Sequence, residues 1–145
     1  MWREISKAAR FARAAHKGQT RKHGTPYFEH PKAVARLIWQ NGCRIPETIQ
    51  AAYLHDVVED CGVKIEKIAE LFGGRVCMLV DAVTKRPGES ELEFYLRIKI
   101  AGIDAMKIKI FDRAHNNSQI GLLPADHPSV SKAAVKTELL NKILK

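Results

Sequence analysis

The chain has 145 residues, 46% of them hydrophobic and 28% charged, with 6 Pro and 9 Gly; that size and composition support one buried core and exclude a disordered or collagen-like chain. Lys and Arg outnumber Asp and Glu by 24 to 16, a net charge of +8, which suits an anionic partner such as a phosphorylated small molecule, nucleic acid or anionic lipid without choosing among them. No apolar run approaches the roughly 20 residues of a bilayer span, so no membrane-spanning segment is expected.

The N-terminal stretch "MWREISKAARFARAAHKG" mixes charge with Ala and lacks the apolar run of a signal peptide, so the whole chain is expected to be the mature protein. Ile5, Ala8, Ala12 and Ala15 recur at helical spacing and predict a first helix over about 3 to 16, stopped at Gly18. "QTRKHGTPYFEHP" reads as a loop that is basic, polar and aromatic at once, because Gly24 and Pro26 interrupt any periodicity. A second helix follows from about His30, with Pro31 in its first turn, Val34, Leu37 and Ile38 inward, and Gly42 as its end. Pro46 and Glu47 open a third helix, expected to run unbroken through "AAYLHDVVED" to Cys61 and Gly62.

Two shorter helices, about 64 to 71 and 74 to 84, are expected on either side of Gly73 and Gly74, with Ile65, Ile68, Val76, Leu79, Val80 and Val83 inward. Ser90 and Glu93 form a capping-box pattern that starts a helix through about Ala101. Asp104 is placed as the cap of the next helix, to about Asn116. After "LLPADHP", a terminal amphipathic helix is expected, with Val135, Leu139, Leu140 and Ile143 inward. Strand-like alternation is nearly absent, and neither repeat nor linker breaks the pattern, so an all-α helical bundle is expected, one domain over 1–145. Cys43, Cys61 and Cys77 contain no C-x-x-C spacing, which points away from disulfide and thiolate-zinc frameworks and toward a reducing, cytoplasmic setting.

The feature that asks for chemistry is His55, Asp56, Glu59 and Asp60. On one continuous helix they share an arc of about 140°, so their side chains converge on one site. Four ionisable groups among apolar neighbours are costly without a counter-charge, and a divalent cation supplies one. One turn cannot provide a full ligand set. His30 and Asp112 stand at the ends of other apolar-anchored elements and complete a set of two imidazoles and two carboxylates. That set suits Mn²⁺, Fe²⁺ or Zn²⁺ better than Mg²⁺, which prefers oxygen alone. Glu59 or Asp60 is then positioned to accept a proton from an attacking water. Arg21 offers a planar guanidinium for stacking or for forking a phosphate, and Lys22 a point charge. His16 and His115 read as hydrogen-bond partners at helix ends, His23 and His127 as loop residues, and Cys61 as a small packing residue.

The order His30, His55-Asp56, Asp112 resembles the H…HD…D signature of the HD-domain metal-dependent phosphohydrolases. More narrowly, "AHKGQTRKHGTPYFEHPKAVA", "AAYLHDVVED", "FGGRVCMLVDAVTK" and "KIFDRAHN" together resemble the hydrolase domain of the RelA/SpoT family, which includes small stand-alone alarmone hydrolases. The resemblance implies an HD-domain helical bundle holding one Mn²⁺ between His30, His55, Asp56 and Asp112. It further implies that Glu59 and Asp60 activate and position the water, that Arg21 and Lys22 line the nucleotide pocket, and that Asn116 contacts the sugar side. The implied reaction is removal of the 3′-pyrophosphate from ppGpp or pppGpp, the alarmones of the stringent response, giving GDP or GTP and pyrophosphate. The substrate partner is then a small guanine nucleotide rather than nucleic acid.

Two features depart from the family pattern: Cys61 stands where Thr is usual, and "NNSQIGLLPADHP" replaces a basic or Thr-bearing continuation. The second of these, the altered segment after Asn116, leaves a related HD hydrolase acting on NADPH or a nucleoside monophosphate as an alternative. A non-enzymatic alternative, a basic nucleotide- or nucleic-acid-binding module, would be favoured by broken ligands, and none is broken.

Overall fold

The computed structural model describes residues 1–144 as an all-α bundle. Its helices, in chain order, are α1 (Trp2–Ala15), α2 (Glu29–Gln40), α3 (Pro46–Leu54), α4 (Val57–Cys61), α5 (Ile65–Phe72), α6 (Gly74–Ala82), α7 (Glu91–Ala101), α8 (Ile103–Ser118) and α9 (Pro128–Leu144), with a 3-10 turn at Ile120–Leu122 between the last two. Lys145, the end of the expected terminal helix, lies outside the described residues. No helix among the described residues is long and apolar enough to cross a membrane.

Helix α3 is the centre of the bundle, packed against α1, α2, α6 and α8. Ala51, Ala52 and Leu54 on α3 are fully buried, as are Ala8 and Ala12 on α1; the small side chains let helix backbones approach closely. Ile38, Leu79, Ile98 and Ile108 complete the core from four further helices, each contributing about 1.5–3 kcal/mol by leaving water. The expected Ser90–Glu93 cap is present: the Glu93 N–H donates to Ser90 Oγ at 3.1 Å, and Ser90 Oγ donates back to Glu93 Oε1 at 3.0 Å.

Three expectations are corrected. The helix expected to run from Pro46 to Cys61 breaks at His55–Asp56, where Asp56 has φ −107° and ψ −3° and starts α4. Leu54 and Val57, both fully buried, pin the chain on either side, so the break falls on the two residues whose side chains must meet. Asp104 does not cap α8. Gly102, at φ +112°, joins α7 directly to α8, a backbone conformation natural to glycine, and Asp104 falls inside the first turn, paired with Arg75 at 2.7 Å. Val135 is 66% exposed, because α9 turns Ala133, Leu140 and Leu144 inward instead.

Candidate metal centre and active site

Helix α2 supplies His30 in its first turn, the α3–α4 break supplies His55 and Asp56, and α8 supplies Asp112. One ligand atom from each lies within 4.8 Å of the others. His30 Nε2 is 2.7 Å from Asp112 Oδ1 and 3.7 Å from Asp56 Oδ2, while His55 Nε2 is 3.0 Å from Asp56 Oδ2 and 3.3 Å from Asp112 Oδ1. His30, His55 and Asp112 are all buried.

The hydrogen bonds of His55 decide what this centre can hold. Its Nδ1 lies 2.6 Å from the Ala52 carbonyl, which only accepts, so Nδ1 carries a proton and Nε2 is the nitrogen that faces the centre. That Nε2 is buried and has no hydrogen-bond partner among the described residues. Facing two carboxylate oxygens, this nitrogen needs a positive charge there, either a proton of its own or a cation that takes its lone pair. The charges in the site lead to the same point. Burial opposes a protonated His55, yet Asp56 and Asp112 outweigh it and raise its pKa well above the usual histidine value. Burial likewise opposes ionisation of the two carboxyls, but His55 beside Asp56 and Lys109 beside Asp112 hold both below the usual carboxylate range. Two imidazole nitrogens and two carboxylate oxygens around a point that calls for positive charge fit a divalent cation such as Mn²⁺, Fe²⁺ or Zn²⁺.

Outer partners fix these groups. His30 Nδ1 lies 2.7 Å from His115 Nδ1, and burial with the neighbouring His30 and Arg21 lowers the His115 pKa to about 4. A neutral His115 can therefore accept the His30 Nδ1 proton and leave His30 Nε2 aimed at the centre. His115, in the last turn of α8, is thus the helix-end hydrogen-bond partner expected of it. Lys109 Nζ sits 2.9 Å from Asp112 Oδ2.

Glu59 and Asp60 stand on α4 one turn after Asp56, and the three carboxylates form a second convergent group. Glu59 Oε1 accepts the Lys85 N–H at 3.1 Å. The Tyr27 hydroxyl is 2.7 Å from Asp56 Oδ2 and 3.1 Å from Asp60 Oδ2. Desolvation first, and the charge of Asp56 second, push both acid pKa values upward, the direction that suits groups exchanging protons near neutrality.

These residues open into a cavity of about 480 Å³. All the expected site residues except His55, which lies beneath, line it. Arg21 donates to Asn116 Oδ1 at 2.8 Å and to Gln119 Oε1 at 3.3 Å, and Asn116 Nδ2 donates to Asp112 Oδ1 at 3.3 Å. Lys22 reaches Ser129 on α9. The cavity is acidic at Asp56, Glu59, Asp60 and Asp112 and basic at Arg21, Lys22, Lys109, Arg113, Lys132 and Lys136.

Comparison with known proteins follows the same residues. The HD-domain family profile matches residues 8–119, a stretch that contains His30, His55, Asp56 and Asp112. The chain belongs to the HD-domain family. The chain is 40% identical over 125 residues to the guanosine-3′,5′-bis(diphosphate) 3′-pyrophosphohydrolase of Vibrio cholerae, covering 79% of this chain and 18% of that protein. It is 35% identical over 134 residues to the bifunctional (p)ppGpp synthase/hydrolase SpoT of Escherichia coli, covering 86% of this chain and 19% of that protein. The chain therefore spans about a fifth of the length of these curated relatives. A solved structure of a metazoan ortholog of SpoT, described as hydrolysing ppGpp and playing a role in starvation responses, shares the fold with a TM-score of 0.85 at 23% identity, covering 98% of this chain and 85% of that one. Helix α9 lies beyond the matched HD stretch, yet it supplies Ser129, Lys132 and Lys136 to the cavity wall.

Tyr27, Lys109, Arg113, Lys132 and Lys136 join the HD site without having been singled out from the sequence. Lys109 had a signal, since it stands three residues before Asp112 on one helix. Tyr27 lies three before His30 in "PYFEHP". Nothing in the amphipathic pattern of α9 marked Lys132 and Lys136 as facing a cavity.

Proposed function

We propose that this chain is a Mn²⁺-dependent hydrolase that removes the 3′-pyrophosphate from (p)ppGpp. The observation that carries the reading is the juxtaposition, in one cavity, of a two-His, two-Asp centre, an adjacent acid pair and a set of basic lining side chains. The names of the V. cholerae and E. coli relatives support the choice of nucleotide. A divalent cation held by His30, His55, Asp56 and Asp112 would polarise the scissile phosphoryl group and make a neighbouring water more acidic.

The protein's own groups do the rest. Arg21, ordered by Asn116 and Gln119, and Lys22 bind the anionic nucleotide, and the positive wall of Lys109, Arg113, Lys132 and Lys136 offsets the charge of a substrate with phosphates at both ends. Glu59 or Asp60 takes a proton from the attacking water. The water oxygen bonds to phosphorus, the bond from phosphorus to the ribose 3′ oxygen breaks, and that oxygen leaves with a proton. Cys43, Cys61 and Cys77 are free thiols, which supports a reducing, cytoplasmic location.

The test is to incubate the purified chain with Mn²⁺ and, separately, ppGpp, pppGpp, NADPH and nucleoside monophosphates, and to identify every product. GDP with pyrophosphate from ppGpp is the expected result. Orthophosphate from NADPH or a monophosphate, with ppGpp untouched, would move the assignment to a different phosphorylated nucleotide.

A further inference from the structure

We propose that Tyr27 and Gln19 are positioning residues that clamp Asp60, so that the loop receiving the nucleotide also sets the geometry of the acid pair. The proposal rests on the hydrolase reading for the role of Asp60; the clamp itself rests on contacts. Asp60 is approached twice from one loop: its carboxylate at 3.1 Å by the Tyr27 hydroxyl, whose single proton it shares with Asp56 Oδ2 at 2.7 Å, and its backbone carbonyl by Gln19 Nε2, which donates at 3.2 Å. Gln19 also reaches Cys61 Sγ at 3.5 Å, so the end of α4 is tied at consecutive residues.

The gripping groups are themselves held. The Tyr27 ring stacks on His16 with centroids 4.6 Å apart, meets the edge of His30 at 6.0 Å, and has the Arg21 guanidinium over it at 5.5 Å. Gln19 Oε1 is 2.9 Å from His16 Nδ1, and the Tyr27 N–H donates to the Gln19 carbonyl at 2.8 Å. The two clamp residues are therefore bonded to each other as well as to α4. Arg21 and Lys22 lie between them in sequence, and the Arg21 N–H closes the loop on the Thr25 carbonyl at 2.7 Å.

Glu59 is held from elsewhere, by the Lys85 N–H. The two acids are thus oriented by independent segments, and only Asp60 answers to the substrate loop. A carboxylate left to rotate loses the alignment that proton transfer requires, and small misplacements are costly in rate. Tyr27 also touches Asp56, so the experiment must separate an effect on Asp60 from an effect on the metal centre.

The variants are Tyr27→Phe, Gln19→Leu, Asp60→Asn and the double variant Tyr27→Phe/Asp60→Asn, each checked for folding by thermal melting and for bound Mn²⁺ by elemental analysis. Tyr27→Phe should lower kcat on ppGpp about 10–100-fold, with KM and bound Mn²⁺ close to wild type. Gln19→Leu should lower kcat in the same direction but less, and it carries the test if Tyr27→Phe does not fold. In the Asp60→Asn background, Tyr27→Phe should add no further loss. Wild-type kcat in both loop variants would overturn the proposal, as would loss of Mn²⁺ in step with activity or a full additional loss in the double variant. If the wild-type chain itself leaves ppGpp intact, the hydrolase reading fails, and the clamp is then judged from the Asp60 side-chain carboxyl resonance by NMR. A resonance unmoved by Tyr27→Phe would overturn it there too.

Discussion

Two clusters that pair opposite charges are built in opposite ways. At the connection between α6 and α7, Arg97 forks Glu89 at 2.8 and 3.0 Å and donates to the carbonyls of Thr84 at 2.8 Å and Ala82 at 3.1 Å. Hydrogen bonds from Arg97 outweigh desolvation and hold Glu89 down to about 2. In the HD centre, His55 Nε2 has no hydrogen-bond partner among the described residues, and burial first, with the charge of Asp56 second, pushes the Glu59 and Asp60 pKa values up. The first cluster is satisfied by the protein alone and fastens a loop. The second is satisfied only when something else arrives, which is how unfavourable local arrangements at functional sites persist in otherwise consistent folds.

The contrast breaks most visibly at Glu59. Glu59→Gln keeps the shape and removes the proton acceptor, so kcat on ppGpp should fall by roughly 10²–10⁴, with bound Mn²⁺ retained and the melting temperature no lower. Steady-state kinetics beside a thermal melt checks both halves. Retained kcat would take the acid-base role away from Glu59.

Arg97→Ala should do the reverse. Removing a charged donor that serves one carboxylate and several carbonyls should cost about 1.5–3 kcal/mol in urea unfolding, with kcat unchanged because the cluster lies outside the cavity lining. The sign with pH follows from the depressed carboxyl. Its stabilisation is fully present above the unfolded glutamate pKa of about 4.3 and is lost as pH falls toward about 2. The gap between wild type and variant should therefore narrow through that window. A gap independent of pH would mean that the carbonyl bonds, not Glu89, carry the effect.

Much of the HD centre was legible in the sequence, whereas the Arg97–Glu89 cluster was not. Apolar spacing marked the helices, Ser90 and Glu93 marked the start of α7, and His30, His55, Asp56 and Asp112 stood out as ionisable groups at apolar-anchored positions. The break at His55–Asp56 was not legible, because neither residue is Gly or Pro and the flanking apolar residues continue the helical pattern; tertiary anchoring at Leu54 and Val57 produces it. Asp104 looked like a cap because Asp is a good one, but Gly102, at positive φ, carries the chain from α7 straight into α8 and leaves Asp104 two residues past the cap position, inside the first turn. The basic wall from α9 was hidden for a different reason. Periodicity says which face of a helix is apolar, whereas the partner across a cavity from its polar face is set by the packing of α7, α8 and α9 together.

The smallest predicted effect is the one that turns the comparison into thermodynamics. Asp60 has a raised pKa in the fold, so its charge costs stability: the penalty is absent below the unfolded aspartate pKa of about 3.9, grows as pH rises through the folded value, and is complete above it. Asp60→Asn removes the charge while keeping an oxygen for the Tyr27 hydroxyl. In metal-free protein the variant should melt a few degrees higher than wild type at pH 7, and the two should converge at about pH 3. A variant that melts lower at pH 7 would show that the bond from Tyr27 to a charged carboxylate is worth more than desolvation and the repulsion from Asp56 together. The acid pair would then belong with the Arg97 cluster, as a group the fold wants rather than one it tolerates.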